Sequence, residues 1–301
     1  MTGALALLVA LTSTAAAPPP PAPRALAEAV AEFNRKAHFP LPIPTRPQAE
    51  KLVEGEVVRI FEPTPDSERP WRVVALMLVP VSRDAAYLAR VDPHLDGVSD
   101  FFGAGLSAPG ASPSQAYGFL PLPWPMEARQ WVVSTSSNLP LAKASGNRFW
   151  ERYWGLTPDG ERLGREAVAA GKVPEVTSEM IAKAIYTPVN EGAWDFLGIT
   201  ERHTLLVYTV SSVVGGNIPD RAVAEFTLGR MRQLLTDVAT KAAQVEGHYV
   251  AGHAPVTGAD GKPIPVPGAA LAAGAPGTSA ASLQEPGLPH PAAPAGASPQ
   301  P

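Results

Sequence analysis

The chain's clearest hydrophobic pattern lies near its C-terminal third. Ala224, Leu228, Met231, Leu235, Val238 and Ala242 recur at spacings of four and three residues, and Val223, Leu234 and Val245 widen the stripe. Arg221, Arg232, Gln233, Thr236, Asp237 and Thr240 cover the remaining face. Pro219 and Asp220 suit the first turn, and Gly247 suits the end, so the pattern predicts one long amphipathic helix. Before it, His203–Ser212 alternates with period two, Leu205 and Val207 opposing Leu206, Tyr208 and Val210, which predicts a strand. Gly215-Gly-Asn-Ile-Pro219 joins the two as a turn.

Upstream, Leu26, Ala29, Val30 and Phe33 share a helical face within Arg24–Phe39, and the prolines at 40, 42, 44 and 47 stop further helix. Val53–Phe61 and Trp71–Val79 read as strands, and Ser82 caps a short helix through Leu88–Val91. Residues 103–114 read as loop. Arg129–Ser137 is a strand with Trp131, Val133 and Thr135 on one face, and Phe149–Leu156 is extended up to a Pro158-Asp-Gly160 turn. Val173–Ile185 has helical spacing, and Ile185–Asn190 with Ala193–Gly198 reads as a hairpin. Strands in the middle, helices near both ends and hairpin-sized connections define an α+β class, with an antiparallel sheet whose apolar face the last helix covers.

Composition divides the chain. Residues 251–301 hold 11 Pro, 8 Gly and 14 Ala and no aromatic residue, which predicts a disordered tail. Residues 18–24 form a Pro-rich linker, and 25–250 remain for one folded domain. Met1–Ala17 carries an apolar core, Ala4 to Leu11, before Ser13-Thr-Ala-Ala-Ala17, the pattern of a cleavable secretory signal. The expected location is therefore periplasmic or secreted. The net charge of -4 and the lack of a basic block argue against a nucleic-acid partner, and the absence of cysteine excludes disulfides and thiol chemistry.

Candidate chemistry is sparse. None of the six histidines (38, 94, 203, 248, 253, 290) has a zinc-type partner at three or four residues, and neither a nucleophile elbow nor a phosphate-binding glycine motif occurs. No catalytic residue, metal or cofactor is therefore assigned. Glu191 and Asp195 are expected to be solvated hairpin carboxylates. The aromatic residues Trp124, Trp131, Trp150, Trp154, Trp194 and Phe196 suit either a core or the lining of an apolar ligand site. Arg129 opens an apolar strand. If it points inward, its charge needs a carboxylate or a ligand head group.

The run Gly192-Ala193-Trp194, the strand through Tyr208 and the turn Gly215-Gly-Asn-Ile-Pro219 into the last helix resemble the START lipid-transfer domains. These belong to the wider helix-grip superfamily, with pollen-allergen-like proteins and polyketide cyclases. Leu122-Pro-Trp-Pro125 with Glu127-Ala-Arg129-Gln-Trp-Val-Val133, and Leu78–Asp96 with its Asp92-Pro93, also resemble family elements. The resemblance runs from Leu52 to His248. Two departures stand out: Gln130 follows Arg129 where the family often has an acid, and Gly155–Thr187 is long enough to add a helix.

The resemblance implies a curved sheet gripping a long C-terminal helix around an apolar cavity, in a bacterial exported member. It implies a non-enzymatic, monomeric carrier of a lipid or sterol-like molecule, in transient contact with membranes. Arg129, Trp131, Trp194, Phe196, Tyr208, Leu228, Met231 and Leu235 are the expected ligand-binding residues. The alternatives are a cyclase or aromatase on the same fold and a ligand-free interaction module with a filled core.

Overall fold

A computed structural model describes residues 19–62, 71–92, 102–108, 112–122, 126–218, 220–248 and 255–264. The expected signal, Trp124 and Pro219 lie outside these residues. Helix α1 (Pro23–Phe33) starts on a proline and buries Leu26, Ala29, Val30 and Phe33, as its spacing predicts. Helix α2 (Arg46–Val53) corrects the expectation that Pro47 forbids helix. Pro47 sits in the first turn, where its missing N–H has no helical acceptor to lose, and the Thr45 N–H bonds Gln48 Oε1 at 2.9 Å. The strand expected from Val53 consequently shrinks to β1 (Val58–Glu62).

Strand β2 (Arg72–Val79) leads to α3 (Arg83–Val91), capped by Ser82 Oγ accepting from the Ala85 N–H. Residues 103–114 are not all loop: β3 (Phe102–Gly105) pairs with β4 (Ser114–Leu120). Then follow β5 (Arg129–Ser137), α4 (Leu139–Ala144), β6 (Phe149–Leu156), α5 (Gly160–Ala169) and α6 (Ser178–Lys183). The chain ends in β7 (Ile185–Tyr186), β8 (Val189–Thr200), β9 (His203–Val213) and α7 (Asp220–His248), which runs one residue past the expected Gly247 stop. The expected hairpin between 185–190 and 193–198 does not form. β7 pairs in parallel with β5, and Ala193–Gly198 lies inside β8, which pairs with β6 and β9.

The sheet order is β1-β2-β9-β8-β6-β5-β4-β3, and every neighbour in that path is antiparallel. Register assigns the faces. Trp194 opposes Tyr208 and Phe196 opposes Leu206 on the inner face, which α7 and α3 cover. Leu197 opposes Leu205 on the outer face, beneath Leu26, Val30, Phe33 and Leu52 of α1 and α2. Further along the outer face, Val168, Val173, Val176 and Ile181 from the 157–184 segment cover Tyr117, Phe119 and Val132. The result is a curved antiparallel sheet holding a long C-terminal helix, a helix-grip α+β fold.

Period-two register also traps two carboxylates. Glu151 of β6 and Asp195 of β8 are direct cross-strand partners on the outer face, and both are 0% exposed. This corrects the expectation of a solvated Asp195 paired with Glu191. Glu151 accepts the backbone N–H groups of His38 (2.8 Å) and Phe39 (2.8 Å) and the Nδ2–H of Asn138 (2.6 Å), which fastens the α1–α2 connection to the sheet. Among the described residues Asp195 has no hydrogen-bond partner for either oxygen. Burial first, and then the charge of Glu151, push its pKa well above the ordinary carboxylate value, while Arg72 opposes the shift.

The folded part also extends past residue 250, correcting the expected start of the tail. Residues 255–264 form a small hairpin: Thr257 pairs with Pro263, the Gly258 N–H bonds the Lys262 carbonyl, and the Ile264 N–H bonds the Val256 carbonyl, each at 2.8 Å. Ala259 and Ile264 are buried against the inner-face cluster, and the Tyr87 hydroxyl donates to the Thr257 carbonyl at 3.3 Å. Composition concealed this because the contact is made by small and aliphatic residues, Val256, Gly258, Ala259 and Ile264, scattered among proline and glycine.

Two stability measurements follow. A carboxyl whose pKa is raised by folding stabilises the fold relatively at low pH, and that contribution is lost as pH rises through the folded value. Asp195→Asn should therefore raise thermal stability at pH 7, by on the order of 1–3 kcal/mol, with the gain fading towards pH 4. A gain independent of pH would contradict the assignment. Ile264→Ala should cost about 2–4 kcal/mol in urea unfolding, as for a core position; no change would place the hairpin outside the core.

Candidate ligand-binding site

The inner face is built by alternation along the strands, and four of them carry most of its aromatic and charged residues. β5 presents Arg129, Trp131 and Val133, β6 presents Trp150, Arg152 and Trp154, β8 presents Trp194 and Phe196, and β9 presents Leu206, Tyr208 and Val210. From the other side α7 contributes Met231, Leu235, Val238, Ala242 and Val245, with Leu228 half-buried at the margin. Seven of the eight expected ligand-binding residues are buried, and Leu228 is the exception.

The rings touch one another. Trp194 and Tyr208 lie 4.7 Å apart between centroids, Trp154 stacks with Tyr208 at 5.8 Å, and Tyr87 of α3 meets Phe196 edge-on at 5.2 Å and Trp150 at 4.8 Å. Gly192 explains its place in Gly192-Ala193-Trp194: a Cβ there would run into the Thr209 carbonyl and the Trp154 ring, so only glycine lets that indole lie against the strand. A tunnel long enough for a lipid is not shown among the described residues, whose side chains pack on each other.

The polar corner of this interior is at Arg129, which is 2% exposed. Its Nη1 donates to the Glu127 carbonyl and, at 3.4 Å, to that of Ala128; its Nη2 donates to the Gly215 carbonyl at 2.9 Å. Its Nε–H has no acceptor, and no carboxylate lies within ion-pair distance among the described residues. Burial pushes the guanidinium pKa below its ordinary value, against the opposing charge of Glu127. A cavity of about 20 Å³, room for one water, adjoins it, lined by Leu120, Trp131, Thr187, Asn190, Val210, Ser212 and Val214. The Thr187 hydroxyl is also buried without a partner, and Asn190 Oδ1 accepts the Trp154 Nε1–H at 3.1 Å.

Sequence reasoning missed Thr187, Asn190 and Arg152. Arg152 had a signal: it sits between Trp150 and Trp154 in a period-two frame that sends all three to the inner face. Its Nη2 reaches Ser114 Oγ at 3.5 Å. The carboxylates Glu151 and Asp195 face the opposite side of the sheet and cannot serve this interior. Among the described residues no group of three or more His, Asp or Glu could hold a metal. A separate open groove of about 420 Å³ lies on the surface beside Arg83, Asp84, Arg148 and the 198–201 turn.

No protein-family model matches the chain, and no curated protein matches it in sequence. Among solved structures, human StAR-related lipid transfer protein 5 is similar at 14% identity and TM-score 0.44, covering 74% of this chain and 97% of its own. A STAR-related lipid transfer protein fragment from Xanthomonas axonopodis is similar at 14% identity and TM-score 0.45, covering 62% and 94%. The Zhui aromatase/cyclase from Streptomyces sp. R1128 is similar at 13% identity and TM-score 0.36, covering 57% and 93%.

The turn into α7 is tied to this corner. Gly216 has φ +70°, and a Cβ on it would lie 3.0 Å from both Arg129 Nη2 and Ile185 Cδ1. Gly216→Val should destabilise the protein by about 1–3 kcal/mol, through backbone strain and displacement of the guanidinium. Unchanged stability in denaturant unfolding would show that Arg129 does not depend on this turn.

Proposed function

We propose that the chain binds one lipid or sterol-like hydrophobic molecule between the inner face of the sheet and α7. It would carry that molecule through aqueous space outside the cytoplasm as a monomer in transient contact with membranes. The observation that supports this reading is a set of buried donors without acceptors on the inner face: Trp150 Nε1, Trp194 Nε1 and Arg129 Nε. Each such donor costs roughly 1–3 kcal/mol when left unsatisfied, which an ordinary apolar core avoids. A molecule with an apolar body and a few acceptors satisfies them while burying area worth about 25 cal/mol per Å². Space for it is made by α7 separating from the sheet about the Gly215-Gly216 turn, with Leu228, Met231 and Leu235 turning from sheet contacts to ligand contacts. The export pattern of Met1–Ala17 supports carriage outside the cytoplasm. No helix among the described residues is long and apolar enough to cross a membrane.

A second reading, an interaction module with a filled core, is favoured by the close burial of Trp194, Phe196, Met231 and Leu235. One experiment separates the two. Protein purified under native conditions is extracted with organic solvent for mass spectrometry, and delipidated protein is titrated with dansyl-labelled lipids. Carriage predicts one co-purifying hydrophobic species and saturable binding of one probe per chain. An empty extract together with no probe binding selects the filled module.

A further inference from the structure

We infer that the molecule held by this interior is a carboxylic acid, whose carboxylate takes the Arg129 corner as its counter-ion. The inference rests on the binding reading above and narrows it to a ligand class. Arg129 is a buried cation whose hydrogen-bonding partners are backbone carbonyls, which carry no net charge to balance it. The side chains around the adjoining cavity offer donors. Among the described residues, Arg129 Nε–H and the Thr187 hydroxyl are buried and unpartnered. Asn190 has its oxygen occupied by the Trp154 indole, so what it has left to give is its Nδ2–H₂. Ser212 uses its hydroxyl to donate to the Val189 carbonyl at 3.2 Å. Among the described residues no Asp or Glu lines this cavity. A corner that gathers donors around a guanidinium, with Glu127 acting on it only through its charge and no carboxylate in ion-pair contact among the described residues, selects an anion over a neutral hydroxyl.

The cavity of about 20 Å³ has room for one water, so a carboxylate reaches the guanidinium edge by taking that place as α7 moves from the sheet. The cavity opens on apolar side chains, Leu120, Trp131, Val210 and Val214, so the group attached to the carboxylate is apolar. The carboxylate would compete with the Gly215 carbonyl for Arg129 Nη2. That carbonyl belongs to the turn that opens α7, so head-group binding and helix release act on the same guanidinium.

The test uses full-length protein and three probes: 11-(dansylamino)undecanoic acid, its methyl ester, and acetate. The acid should bind at least about tenfold more tightly than the ester. Arg129→Gln should bring the two affinities together, while Arg129→Lys keeps part of the preference. Thr187→Val, an isosteric change suited to keeping the fold intact, should weaken acid binding about threefold to tenfold and leave the ester unaffected. The Arg129 Nε–H resonance, assigned by its loss in Arg129→Lys, should shift downfield with the acid and not with the ester. Acetate at millimolar concentration should reproduce part of that shift. Equal affinities for acid and ester, or an acid preference unchanged by Thr187→Val and Arg129→Lys, would overturn the ligand class while leaving hydrophobic binding intact. Absence of binding by both long-chain probes would remove the binding reading and this inference with it.

Discussion

Strands β8 and β9 run through the middle of the molecule with protein on both sides. Nearly every residue from Gly192 to Leu197 and from His203 to Ser211 is buried, so alternation here separates two interiors. One lies under α7 and α3, the other under α1 and α2. A polar group on these strands cannot turn towards water and must find its partner within the layer where register places it. Glu151 finds three donors on the outer side. Asp195 finds none and is driven towards its neutral form. Arg129, at the inner side, is left with carbonyls. The rest of the structure, including the fastening of the α1–α2 connection and the polar corner by α7, is arranged around these trapped groups.

Much of the frame was legible because its periodicities are local. β5 and β6 match the expected strands residue for residue, β9 runs one residue further, and the stripe from Ala224 to Val245 lies against the sheet as drawn. Elements that depend on a distant partner were not legible. β3 contains Gly103 and Gly105, and becomes a strand because β4 offers Tyr117 and Phe119 across from it. α5 contains Gly160 and Gly164, poor helix formers in isolation. Gly164 is needed because Tyr117 approaches so closely that a Cβ would sit 2.9 Å from its ring. α2 was hidden by reading Pro47 as a stop, although its place in the first turn makes it a start.

The site divides in the same way. That Trp194, Phe196, Tyr208, Met231 and Leu235 share one layer follows from strand parity and helix spacing. Whether Arg129 faced that layer depended on which side of β5 the helix covers, and a strand in isolation does not say. Thr187 and Asn190 were beyond reach. They flank the turn between β7 and β8, and they line one cavity with Arg129 because β7 pairs in parallel with β5, a contact across more than fifty residues of chain.

The opposed pair Glu151 and Asp195 has one more consequence. On β8 the acid stands between Trp194 and Phe196, and on β6 its partner stands between Trp150 and Arg152. A slip of β8 by a single residue would carry a carboxyl into an aromatic layer and push an indole under the α1–α2 connection. Slips of this kind are the characteristic error of long strands, and here a mispaired sheet would take a carboxyl out of reach of the donors at His38, Phe39 and Asn138 and bury it among aromatic rings. The two acids therefore act as a key cut into the strands: the pairing in which Glu151 meets its three donors is the one in which both layers close.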